Sequence, residues 1–172
     1  MHSALTLGKI LGIPIRVHSS RFLVAALITW SLASGYFPQE YPSWATATYW
    51  SVGLITAILF FASVLIHELG HSVVALRQGV PVRSITLFIF GGVAQIGREP
   101  PTARAEFRIA IAGPLTSLGL VGVFSLPQLA VAFNPILAAP VTCLGRINLM
   151  LALFNLIPGF PLDGGRVLQA VL

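Results

Sequence analysis

A chain of 172 residues that is 56% hydrophobic and only 9% charged is far from soluble domains, in which about a quarter of residues are charged. That composition excludes an ordinary water-soluble enzyme. The net charge of +5 comes almost entirely from arginines grouped in particular loops, which read as membrane-topology signals and exclude a nucleic-acid surface.

Met1 to Lys9 lacks the order of a signal peptide, and the single Cys143 leaves no intrachain disulfide. Leu5 to His18 alternates loosely around Gly8, Gly12 and Pro14, which predicts a short strand at the membrane surface. His18 reads as an interfacial residue more readily than as a metal ligand. Lys9, Arg16 and Arg21 flank the first apolar run, and Phe22 to Tyr36 predicts a first, short span. The Tyr and Trp residues that follow, up to Ala47, suit a membrane interface. Tyr49 to Gln78 predicts a second span, stopped by Gly79 and Pro81. Val82 to Ile96 alternates and is rich in β-branched residues, a β-hairpin pattern with Gly91-Gly92 as its turn or bulge. Unpaired strand edges are not tolerated in lipid, so this hairpin must line a protein cavity or lie at the interface.

Pro100-Pro101-Thr102 offers a helix start with Thr102 as cap, and Glu99 and Glu106 read as solvated loop charges among arginines. Ile109 to Leu126 predicts a third span with a small-residue face at Ser117, Gly119 and Gly122. Pro127 to Pro140 is uncharged and turn-rich, Val141 to Ile157 predicts a fourth span, and Pro158 to Pro161 break it. The expected fold is a single membrane domain, residues 1–172. It is mainly α-helical, with about four transmembrane segments, a short N-terminal strand and a β-hairpin between the second and third. Residues 77–108 hold five arginines, whereas 36–47 and 127–140 hold none, which places the N-terminus and the 77–108 segment in the cytoplasm. Arg146, in the outer half of the fourth span, reads as snorkelling outward.

Chemistry concentrates in the second span. Between Tyr49 and Ala75 the only side chains ionisable near neutral pH are His67, Glu68 and His71, spaced His-Glu-x-x-His. Residues four apart share a helix face, so the two imidazoles would present themselves to one metal ion. Glu68 stands where a general base for a zinc-activated water is needed. Ionisable groups inside a membrane are expensive and therefore functional candidates. Two histidines leave a catalytic zinc short of a protein ligand. Asp163, on irregular backbone before Gly164-Gly165-Arg166, is either that ligand or a helix cap.

His67-Glu68-Leu69-Gly70-His71, Phe90-Gly91-Gly92-Val93-Ala94, Ala112-Gly113-Pro114-Leu115 and Asn155 to Arg166 (Asn-Leu-Ile-Pro-Gly-Phe-Pro-Leu-Asp-Gly-Gly-Arg) follow one another in that order. Together they resemble the site-2 protease family of intramembrane zinc metalloproteases, in the prokaryotic branch that opens with a strand like Leu11 to Ile15. The resemblance implies His67, His71 and Asp163 as ligands of one Zn2+ and Glu68 as general base. It implies Asn155 as a polar contact to the substrate backbone or oxyanion. It further implies a multi-pass protein of the bacterial cell membrane with a cytoplasmic opening. Its substrates would be membrane-spanning proteins such as membrane-held transcriptional regulators or anti-sigma factors, met within the lipid bilayer. It also implies further spans beyond Leu172, so the domain reads as C-terminally incomplete.

Two rival readings use the same residues. A transporter or ion-pathway protein also needs intramembrane His, Glu and Asp, but predicts inverted repeats with broken helices in both halves. A noncatalytic membrane interaction protein would need no base at Glu68. For the protease, an unwound substrate needs partners for its freed backbone groups, and strand addition to the hairpin, at Gly91-Gly92 and the strand before it, would supply them.

Overall fold

The computed structural model describes residues 4–18, 20–88, 91–127 and 133–172. In chain order these are β1 (Ala4–Ile10), β2 (Ile13–His18), α1 (Ser20–Ser31), a π-helical turn (Leu32–Tyr36), α2 (Phe37–Glu40), α3 (Thr46–Arg77), β3 (Val82–Phe88), β4 (Gly91–Ile96), α4 (Ala103–Ser125), α5 (Pro135–Asn155) and α6 (Asp163–Val171). Three of them, α3, α4 and α5, are long and apolar enough to cross a membrane. The first expected span is a 12-residue α-helix continued by a π turn and a short helix. The fourth begins earlier than expected. Asn134 accepts from the Ile136 N–H as cap, Pro135 occupies the first helical position where its missing N–H does no harm, and Pro140 lies inside the helix. Thr102 caps α4 by accepting from the Ala105 N–H at 3.1 Å, as the sequence predicts.

The N-terminal strand is a hairpin. Ile10 pairs with Ile13 across Leu11 and Gly12, both at positive φ (53° and 79°), the backbone of a tight two-residue hairpin turn. This hairpin joins the second one in a four-stranded sheet ordered β1-β2-β3-β4. The join is parallel, with Ile15 opposite Ile85 and Val17 opposite Leu87. Alternate residues Ile13, Ile15 and Val17, with Ile85 and Leu87, are buried against Val64 of α3. Period-two alternation thus turns one sheet face onto the helix that carries the histidines.

Gly91 and Gly92 are not the turn. They open β4, paired with Phe88 and Leu87, and the register shift falls between Val82 and Ser84. Residues 89 and 90, between β3 and β4, lie outside the described residues, as does the side chain of His18.

α3 packs against α1, α4, α5 and the sheet. Lipid offers no hydrophobic gain for bringing helices together, so close approach of small residues and polar links must do so. A Cβ on Gly70 would collide with Thr116 Oγ1, and one on Gly53 would stand 3.1 Å from the Thr29 carbonyl. Fully buried Asn148 of α5 donates to the Leu144 carbonyl at 2.8 Å and to Ser63 Oγ at 3.2 Å, one turn before His67. Arg146 is exposed and donates to the Tyr36 hydroxyl at 3.0 Å, so it points outward yet holds a partner. Arg21 departs from expectation. It is buried, not a surface charge, with its guanidinium 4.5 Å from the ring centre of Phe61.

Candidate metal centre

His67 and His71 lie one turn apart on the buried face of α3, 3% and 6% exposed. Helical spacing explains why they are neighbours, and the residues around them explain how they are aimed. His71 Nδ1 donates to the Ile109 carbonyl at 2.7 Å. A carbonyl can only accept, so the neutral ring carries its hydrogen on Nδ1 and keeps a lone pair on Nε2. His67 Nδ1 stands 2.8 Å from Ser117 Oγ, which accepts from it in the same tautomer. Both supporting groups come from α4, which Gly70 allows to approach closely.

Asp163 arrives from the far end of the chain. The Pro-rich break after α5 turns the backbone, and Asp163 becomes the first residue of α6, after Leu162 in the cap position. Its side chain does not cap that helix. Asp163 Oδ2 lies 3.2 Å from His67 Nε2 and 3.1 Å from His71 Nε2, and the two Nε2 atoms are 3.2 Å apart. The glycines that follow make this approach possible. A Cβ on Gly164 would collide with the Ile157 carbonyl, and one on Gly165 would stand 2.8 Å from the Gly159 carbonyl.

Three atoms presenting lone pairs within 3.2 Å of one another repel unless a cation lies among them. Two imidazole nitrogens and one carboxylate oxygen are a donor set suited to zinc. Tetrahedral coordination at about 2.0–2.1 Å spaces ligand atoms about 3.3 Å apart, close to what is seen. Among the described residues these three are the only His, Cys, Asp or Glu group able to share a metal ion. The space is also kept open. A Cβ on Gly113 would collide with His71 Nε2 and stand 2.6 Å from His67 Nε2.

Glu68 is buried beside the first histidine, with Ser72 Oγ donating to its backbone carbonyl at 2.8 Å. Asn155, at the end of α5, donates to the Leu151 carbonyl of its own helix at 2.9 Å. Gly91 and Gly92 stand in the edge strand β4. Glu106 is not a free loop charge, because Arg166 Nε lies 3.7 Å from its carboxylate and links α6 to α4. Sequence reasoning missed Gly113 and Ser117 as parts of the site. Gly113 lies in one of the motifs that carry the family resemblance and Ser117 on a small-residue face, signals that packing alone would also explain.

The family model described as Peptidase family M50 matches residues 55–131 and 119–172. Two relatives carry the name "Putative zinc metalloprotease": sll0528 of Synechocystis sp., 46% identical, and Rip3 of Mycobacterium tuberculosis, 44% identical. Each is matched over the whole of this chain, which spans 45% and 44% of their own lengths. The solved site-2 protease from Methanocaldococcus jannaschii is similar at a TM-score of 0.66 and 37% identity, over 98% of this chain and 71% of that one.

Proposed function

Because this chain belongs to peptidase family M50, the site-2 proteases, we propose that it is an intramembrane endopeptidase that hydrolyses peptide bonds of membrane-spanning protein substrates. His67, His71 and Asp163 hold one zinc ion, and Glu68 is the general base. Zinc held there supplies a Lewis acid that polarises a carbonyl and brings the pKa of water toward neutrality. Glu68 accepts a proton from the attacking water and delivers it to the leaving amine. Ser117 and the Ile109 carbonyl keep the imidazoles in the ligating tautomer, a role that outer groups commonly serve in zinc sites. Asn155 contacts the substrate backbone after turning from its helix carbonyl.

A transmembrane helix hides its peptide bonds, so the substrate must unwind, and its freed N–H and C=O groups need partners. The edge of β4, from Gly91 to Ile96, offers them. β3 does not, since β2 and β4 occupy both its sides. The protein lies in a bacterial cell membrane with the site opening to the cytoplasm, and its substrates are membrane-held regulators such as anti-sigma factors. One observation carries this reading: the Asp163 carboxylate meets His67 and His71 beside Glu68, on a helix long enough to cross a bilayer. The test is cleavage of a reconstituted membrane-spanning substrate. Cleavage should stop with a zinc chelator and return with added zinc, and cleavage indifferent to chelation would overturn the reading.

A further inference from the structure

A second feature lies on a different stripe of α3. Ile66, Leu69 and Val73 recur at helical spacing and face Ile111 and Leu115 of α4 across a groove of about 700 Å3. Its floor is the close contact of Gly70 with Thr116. Its walls are left open, with Ile66 40% and Leu115 56% exposed. At one end the groove is bounded by Arg77 and Arg108, and no acidic residue lines it. Neither arginine has a hydrogen bond or ion pair among the described residues, whereas nearby Glu106 is engaged with Arg166.

Length and charge together select the occupant. From Ile66 to Arg77 α3 rises about 16 Å, roughly half of a ~30 Å hydrocarbon core and so the depth of one leaflet. An apolar groove of that depth ending in two unpartnered cations complements a chain with an anion at its head. A transmembrane substrate helix would continue past the arginines and leave their charge unanswered. Basic pockets between membrane helices are known to take acidic headgroups in this way.

We propose that the groove between α3 and α4 binds an acidic phospholipid, with an acyl chain along Ile66, Leu69, Val73, Ile111 and Leu115 and the phosphate between Arg77 and Arg108. The site is distinct from the metal centre and needs no substrate.

Native mass spectrometry of the protein, released from micelles holding equal phosphatidylglycerol and phosphatidylcholine, tests it. The wild type should retain phosphatidylglycerol preferentially and should not retain glycerophosphoglycerol, the headgroup without chains. Each arginine near an acidic lipid contributes about a factor of five, so Arg77→Gln with Arg108→Gln should lower the preference about 25-fold. Leu115→Trp should lower lipid retention by filling the groove. A control pair, Arg83→Gln with Arg104→Gln, should keep the preference, and zinc content should be unchanged in all variants. An unchanged preference in the Arg77/Arg108 variant, or an equal loss in the control pair, would overturn the proposal. So would loss of crosslinking to a membrane-spanning peptide in the Arg77/Arg108 variant with lipid retention intact, which would make the groove a substrate site.

Discussion

The α-carbon of Gly113 stands so close to the His71 imidazole that a single added methyl group would collide with its Nε2. α4 is therefore the back wall of the candidate metal centre as well as its support. Gly113→Ala must push the imidazoles apart or move the helix. Overpacking of this kind costs about 1–3 kcal/mol, which corresponds to a loss of about 5- to 150-fold in zinc affinity. Competition with a chromophoric chelator measures it, and wild-type affinity would show that the ligands do not meet at this wall.

Ser117→Ala removes the partner of His67 Nδ1 and leaves both histidines and Asp163 in place. Loss of such an orienting group typically lowers metal affinity about 10- to 100-fold. Zinc titration should show a loss in that range with an unchanged helical spectrum.

Asp163→Asn keeps the side-chain shape and removes the negative charge. As a ligand, Asp163 should matter more than the residue that orients one, so affinity should fall beyond about 100-fold. As a mere helix cap it would change zinc binding little, because Asn caps as well as Asp.

Much of this organisation can be read locally. His67 and His71 meet because the helix period brings them together, and Thr102 caps because its side chain reaches three residues ahead. Contacts between distant segments could not be read in that way. Asp163 reaches His67 across 96 residues, and nothing near Asp163 decides between ligand and cap. The parallel pairing of Ile15 with Ile85 joins two hairpins that sequence alternation can only place separately. Arg21 looks like a flanking charge until Phe61 is placed beside it. The glycine pair at 91–92 suggests a turn, yet its backbone is paired with β3.

The sheet order separates two outcomes of proline substitution. In β3, Ile85 and Leu87 are buried between paired strands, and proline at either should break the ladder and destabilise the protein by about 1–3 kcal/mol or more. In β4, from Gly92 to Gln95, proline should be tolerated where the N–H faces away from β3. At those alternate positions cleavage should fall while zinc content holds. Wild-type cleavage by every folded β4 variant would rule out strand addition.

Glu68→Gln isolates the chemistry from the fold. The substitution leaves His67, His71 and Asp163 untouched and removes only the base. Paired measurements of zinc content and of cleavage of a reconstituted membrane-spanning substrate give the answer. Full zinc occupancy with cleavage reduced by about 100-fold or more is the expected result. Cleavage at the wild-type rate by the zinc-loaded Glu68→Gln protein would contradict the assignment of this site as a zinc peptidase centre.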